Sequence, residues 1–443
     1  MISNLYYSQF EGETFVIQAD AEAIEDSVAA SAILRGINDL LGHGIRVALV
    51  LGKTAEFEKE LCATYGASRH PETQRLIIPE TVLPCIEQER ARIIALVEKG
   101  CRSGTVPCRV LPRSVVRAER RVGHGSTGIV TSIAAQAIRS VLDRQSLAII
   151  AFGGEDDRGR FLHVPSTSLA ADIAVELRTQ KLLFLMEADG IFLPDHRGDQ
   201  RQLSFADLEG LLCLLQRKAP GGDFLLSGSV VAKVHATIRA VAGNVAQVHL
   251  VSHSRLLDEI LTRTGVGTMV ERQQSHLVDY ARDDDIDEIQ RLHDESQRYT
   301  SACGTPYVKP LDRLQLERHL PRTLLLKHRG IIVGKLHGTE IPASPESLQI
   351  GGFVIAENHQ DSQQGHLLLC ETLGRFREAG YARAAAVTAA PRAKRLFERC
   401  GGQRVVRGPW QALLLGGALP RYAAEEREEV QLFEFPLADR SFC

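Results

Sequence analysis

At 443 residues, with 44% hydrophobic and 24% charged residues, the chain is too long for one core at roughly 150 residues per domain, and its composition is globular rather than disordered or fibrous. A formal net charge of -3, with both signs scattered through both halves, excludes the basic footprint of sequence-independent nucleic-acid binding and favours a small-molecule substrate. The opening MISNLYYSQFEGE has no cationic flank before an apolar core, and no run of about 18 apolar residues occurs anywhere, so a cytoplasmic protein without a membrane span is expected.

Residues 14–51 run from an apolar strand (TFVIQA) through a helix with apolar recurrence at three and four residues (IEDSVAASAILRGINDLL) into a second strand (IRVALVLG), which is a βαβ unit. Further on come a buried strand (SLAIIAFGG), a helix (SLAADIAVELRT), a strand (KLLFLMEADGIF), a helix (VVAKVHATIRAVAG), a strand (AQVHLVSH) and a short helix (LLDEILT). Strands alternating with helices predict an open, mainly parallel sheet covered on both faces. A polar stretch at 271–277 (ERQQSHL) marks a boundary, giving domains of 1–272 and 276–436. The second opens with a strand and an acidic-capped helix (LVDYARDDDIDEIQRLHDES). A hairpin (RTLLLKHRGIIVGKLHGTEI), a strand (LQIGGFVIA), a polar turn, a helix (HLLLCETLGRFREAG), a strand (ARAAAVTA) and a helix (RAKRLFERCGG) follow. Nine cysteines from Cys62 to Cys443 form no CxxC pair, and the two nearest in sequence, Cys101 and Cys108, have no histidine at zinc-ligand spacing, so reduced structural thiols and no metal are expected.

The stretch 229–270, with KVHATIRAV, VAQVHLVS and LLDEILTRTGVGTMV in that order, together with the opening ETFVIQADAEAIED, resembles the amino-acid kinase superfamily in its acetylglutamate kinase and synthase branch. The resemblance implies a three-layer α/β sandwich. An active kinase of this kind closes glycine amides on phosphate and neutralises charge with lysine. Here Gln18, Asp20 and Ala21 stand where the lysine and two glycines would fall, the second loop is reduced to Leu51-Gly52-Lys53-Thr54, and Thr167 occupies the place of the catalytic aspartate. Phosphoryl transfer is therefore not expected. By the same resemblance the domain holds a homo-oligomer, at least a dimer, and binds arginine as effector through Tyr6, Lys233, His249, Glu259, Gly265 and Gly267, with Glu259 gripping the guanidinium. A solvated Glu259 and a surface Lys233 are the plainer alternative.

Residues from about 278 to 435 resemble the GCN5-related N-acetyltransferase (GNAT) fold in the version attached to the N-acetylglutamate synthases, an acyl-CoA N-acyltransferase α/β domain. The resemblance implies acetyl-CoA as co-substrate, its pantetheine along Phe353, Val354 and Ile355 and its pyrophosphate on amides at the next helix start, through Gln360, Gln363, Gln364, Gly365 and His366. The middle glycine of the family signature is Gln363 here. The glutamate that serves the synthases as base corresponds to Gln349, with His359 or His366 as substitutes, and Phe397 replaces a tyrosine that protonates the leaving thiolate. Thr388 and Arg392 are expected at the substrate carboxylates. The function implied is acetyl transfer to the α-amino group of L-glutamate or a related amino acid. Because Gln349, Gln363, Ala390 and Phe397 all depart from the family pattern, a degenerate paralogue that binds an amino acid or CoA and regulates or scaffolds a partner, and an acetyltransferase acting on another amine, stay open.

Overall fold

The computed structural model describes residues 7–70, 75–194, 200–218, 224–226, 228–261, 266–272, 276–302, 308, 310–328, 330–360, 364–405 and 429–437. They form two compact units that divide between Gln273 and Gln274. Among these residues no helix is long and apolar enough to cross a membrane.

In the first unit TFVIQA forms β1 (Thr14–Ala19), buried over nearly its whole length, as the central strand of a doubly covered sheet must be. The expected single helix after it is broken into Ala21–Glu25 and α1 (Ser27–Gly42). The break falls at Asp26, whose carboxylate accepts from the amides of Val28 and Ala29 and starts a fresh helix. Then follow β2 (Arg46–Leu51), α2 (Leu83–Ser103), β3 (Cys108–Val110), β4 (Leu147–Ala151), α3 (Ser166–Leu177), β5 (Lys181–Met186), β6 (Phe205–Asp207), α4 (Ser229–Ala242), β7 (Gln247–Ser252), α5 (Leu256–Leu261) and β8 (Thr268–Glu271). Across the sheet the order is β6-β8-β7-β5-β1-β2-β4-β3. The strands from β7 to β3 are parallel, and β8 runs antiparallel to β7. Alternate residues of β1 enter different apolar clusters, Val16 with Phe184 and Leu182, Phe15 and Ile17 with Leu183 and Leu185, which is the three-layer arrangement. KLLFLMEADGIF is not one strand: β5 ends at Met186, and Ile191–Pro194 pairs instead with Gln200–Leu203.

The second unit contains β9 (His276–Tyr280), α6 (Ile286–Ala302), α7 (Arg313–His319), β10 (Thr323–His328), β11 (Ile331–Ile341), β12 (Ser344–Ile355), α8 (Gln364–Glu378), β13 (Arg383–Thr388), α9 (Pro391–Arg399), β14 (Gln403–Arg404) and β15 (Gln431–Pro436). Their order in the sheet is β9-β10-β11-β12-β13-β15-β14. One face packs Leu324, Leu326 and Leu336 under Leu368, Leu369 and Phe376 of α8, and the other packs Leu325, Ile332 and Val354 under Ile286, Ile289 and Leu292 of α6. The parallel pair β12–β13 is joined only from Ser347 opposite Arg383 to Ile350 opposite Ala386. Past that point β12 continues to Ile355 against β11, while β13 continues to Thr388 against β15. The strands part where the register against β11 shifts between Lys335 and His337 and Gly352 takes φ +56°, a bulge that bends the strand and that only glycine adopts without strain.

Candidate functional site

The parting of β12 and β13 leaves the backbone of β12 after Ile350 without a strand partner on that side among the described residues. Unpaired N–H and C=O groups on an internal edge are a template for an extended ligand with amides of its own. Of the residues expected there, Phe353 and Ile355 are half-buried and pack towards α8. Val354 faces the other way and is buried under α6, so its side chain does not face the same side as theirs.

At the end of β12 the Gln360 amide donates to the Ile355 carbonyl at 3.1 Å, and its Oε1 accepts from Arg392 at 3.3 Å. Arg392, expected at a substrate carboxylate, is thus drawn by the first turn of α9 to the polar turn after β12. Gln363 lies outside the described residues. Gln364, the first residue of α8, is 1% exposed, and neither atom of its side-chain amide has a hydrogen-bond partner among the described residues. A buried amide left unmade is costly, and here it stands at a helix start whose own amides are unsatisfied. An anionic or amide-bearing carrier matches both sets of groups, so the residues fit the phosphopantetheine end of CoA. A Cβ on Gly365 would lie 3.3 Å from Leu396 and 3.4 Å from Phe353, so this glycine lets α8 close against β12 and α9.

Gln349 is half-buried on β12, between Thr339 of β11 and Ala385 of β13. Phe397, expected among the reacting groups, is instead a core residue: 3% exposed, with ring centroids 5.6 Å from Phe433, 5.7 Å from Phe435 and 6.3 Å from Phe353. As its side chain already implied, a phenyl ring has no proton to give the leaving thiolate, and its place on the inner face of α9 is a packing one. Thr388 accepts from the Ala390 amide at 3.1 Å and shapes the turn into α9. His359 is buried with Nδ1 2.8 Å from the Asn358 side chain. His366 turns its ring to Cys370, one helical turn on, with both ring nitrogens 3.7–3.8 Å from Sγ, and Cys370 lies 3.8 Å from Cys400 at the end of α9. This trio was not foreseen, since only the fold brings Cys400 to α8. Its ligand atoms lie within 4.8 Å of one another, with no fourth ligand among the described residues.

The first unit holds the two loops expected to depart from the kinase pattern. Asp20 accepts from Gln18 and from Lys233, both at 2.7 Å, and Lys233 is 3% exposed. A Cβ on Gly52 would collide with the Asp20 carboxylate and the Ser166 hydroxyl, so the carboxylate lies directly against the second loop. Lys53 is bound to Glu58 at 2.5 Å. Burial raises the Glu58 carboxyl pKa, but Lys53, Arg69 and His163 outweigh it and bring it down to about 2. Thr167 is half-buried in the first turn of α3.

Of the residues expected around arginine, Tyr6 and Gly265 lie outside the described residues, and Lys233 is engaged by Asp20. His249, Glu259 and Gly267 do meet. The ammonium of Lys181 lies 3.2 Å from His249 Nε2, which must therefore accept and leave Nδ1 to donate to Glu259 at 2.6 Å. Glu259 also accepts from the amides of Val266 at 2.5 Å and Gly267 at 2.7 Å. Burial alone would raise its pKa, yet His249 and the two amides lower it to about 2. Glu259 is 2% exposed, so neither it nor Lys233 is a solvated surface group.

Residues 13–252 match the amino acid kinase family and residues 275–402 the acetyltransferase (GNAT) family. The chain is 25% identical over 284 residues to an acetylglutamate kinase of Methanospirillum hungatei, covering 60% of this chain and 94% of that one. It is 24% identical over 410 residues to an amino-acid acetyltransferase of Shewanella oneidensis, covering 86% of each. In structure it is similar to the N-acetylglutamate synthase from Neisseria gonorrhoeae. The complex of that protein with coenzyme A and L-arginine matches with a TM-score of 0.58 at 20% identity over 99% of this chain and 98% of that one, and its complex with coenzyme A and N-acetyl-glutamate with 0.55 at 20% over 98% and 97%. The chain therefore belongs to the amino acid kinase family, and behind that domain it carries a GNAT-family acetyltransferase domain.

Proposed function

We propose that the chain is an amino-acid N-acetyltransferase of the N-acetylglutamate synthase type, moving acetyl from acetyl-CoA to the α-amino group of L-glutamate or a closely related acidic amino acid. The observation that carries this is the separation of β12 from β13 after Ile350, with the start of α8 and its unpartnered Gln364 amide beyond it. The amine lone pair attacks the thioester carbon, the C–N bond forms and the C–S bond breaks, and the thiolate takes up a proton from water. With glutamine at 349 there is no carboxylate to receive the ammonium proton. The amide orients the amine or a water, and bulk solvent takes the proton, so turnover is slower than with a positioned base.

The departures at Gln349 and Phe397 favour a second reading, a protein that binds the carrier or an amino acid without turnover. Thiol release from acetyl-CoA separates the two. Glutamate-dependent release supports the enzyme; binding of CoA with no release for any amino acid supports the second reading.

For the first domain the reading is loss of phosphoryl transfer, supported by the Asp20–Lys233 and Lys53–Glu58 pairs, which occupy the cations and the space that phosphates would need. Arginine is the effector this reading assigns to the domain, by likeness to the synthase solved with L-arginine. In it Glu259 holds the amides of Val266 and Gly267 and the His249 ring rather than clamping the guanidinium, because both its oxygens are already engaged.

A further inference from the structure

Lys335 on β11 is 0% exposed, and its Nζ has no hydrogen-bond partner among the described residues. A buried ammonium without an anion is among the costliest groups a fold can hold, and burial lowers its pKa to about 8. Among the described residues, nothing on the elements packed around it supplies the missing charge. His337, two residues along the strand, stacks on His319 of α7 at 4.2 Å. Burial, with His319, Lys335 and His293 of α6, lowers the His337 pKa to about 3, so that ring is neutral. The carboxylates near the start of α6 are engaged: Asp285 binds Lys327 at 2.7 Å, and Glu288 accepts from the Ile332 amide at 3.0 Å.

The place of Lys335 gives this unmatched charge a use. A Cβ on Gly352 would stand 3.4 Å from its Nζ and 2.7 Å from the His337 ring, and a Cβ on Gly351 would stand 2.7 Å from the same ring. The two successive glycines thus let the His337 ring lie against β12 and bring the backbone of Gly352 close to the lysine ammonium, at the bulge where β12 leaves β13. Arg392, the cation expected to hold a substrate carboxylate, donates to Gln360 at 3.3 Å at the far end of β12.

We infer that Lys335 is the specificity-determining cation of the acceptor site, receiving a carboxylate of an acidic amino acid beside the Gly351–Gly352 bulge. This rests on the acetyltransferase reading for the identity of the acceptor, while the anion site itself is independent of turnover. Bound carboxylate stabilises the ammonium, so acceptor affinity falls as pH rises through about 8.

The test uses full-length protein with Lys335→Met, which removes the buried charge at similar volume, and Lys335→Arg. In thiol-release assays K335M is expected to raise KM for L-glutamate by about 10-fold or more with KM for acetyl-CoA unchanged, and K335R to restore part of the loss. An unchanged glutamate KM in K335M overturns the inference. Independently of turnover, 13Cε NMR of wild-type protein grown on 13C-labelled lysine, with CoA and with the Lys335 signal assigned by its loss in K335M, is expected to show the Lys335 pKa rising when L-glutamate is added, and an unshifted titration overturns it. If glutamate moves the Lys335 titration but no thiol is released, the acetyltransferase reading falls and the anion site stands. If thiol is released while neither KM nor titration responds, the site falls and the enzyme stands.

Discussion

Glu259 and Gln349 show how far a single residue's chemistry depends on its partners. The Glu259 carboxyl is lowered from 4.5 to about 2, so its contribution to stability is complete above the unfolded value and is lost as pH falls from about 4.5 towards 2, on the order of 3 kcal/mol in all. Glu259→Gln is expected to lower the melting temperature of the first domain at pH 7, and calorimetry should show the gap between variant and wild type narrowing between pH 5 and pH 3. A constant gap would mean that the ionised form is not what the fold uses. At Gln349 the prediction runs towards gain: Gln349→Glu puts a proton acceptor back on β12 and should raise kcat with glutamate by about 10-fold or more, read by thiol release. The local sequence already told that Gln349 and Phe397 lack titrating groups. It did not tell that Phe397 sits among Phe353, Phe433 and Phe435, because Phe433 and Phe435 come from a strand at the far end of the chain. Lys335 was unreadable for a related reason. In IIVGKLHGTEI an inward lysine and a solvent-facing one look alike until the bulge opposite fixes which face it shares.

Strands and helices with strong apolar periodicity were legible, and the hairpin β10–β11, the strand β12 and the helices α8 and α9 stand where their patterns place them. What periodicity lacks is the extent of pairing, and the site is made by where pairing stops. The parting of β12 from β13 depends on Gly352, whose φ of +56° and nearness to His337 leave no room for a side chain. Gly352→Ala therefore combines positive-φ strain with a collision and is expected to cost about 1–3 kcal/mol and to weaken CoA binding, measured by thermal unfolding and calorimetry on the same sample. Undiminished CoA affinity would detach the carrier from this bulge. The small sheet containing Val116–Arg120 and Gly128–Ile133 went unread because its strands are short and partly exposed, with no continuous apolar run to mark them.

Across the whole chain, one domain pairs Asp20 with Lys233 and Lys53 with Glu58 where a kinase would hold phosphate on the proposed reading, and in the other the described residues leave β12 unpaired with β13 past Ile350. The pairing of Asp20 with Lys233 spans 213 residues of sequence, so the non-glycine residues at 18, 20 and 21 were visible locally while the ion pair was not. Asp20→Ala leaves Lys233 buried without its anion and is expected to destabilise the first domain by about 3 kcal/mol without creating acetylglutamate phosphorylation, checked by denaturation and by a coupled ATPase assay. The central claim is that the second domain still holds a CoA thioester carrier. Calorimetric titration of the full-length protein with CoA tests it most directly: a saturable one-site isotherm with Kd near or below about 100 µM, on the order of -5.5 kcal/mol, is predicted, and no heat at millimolar CoA would contradict it.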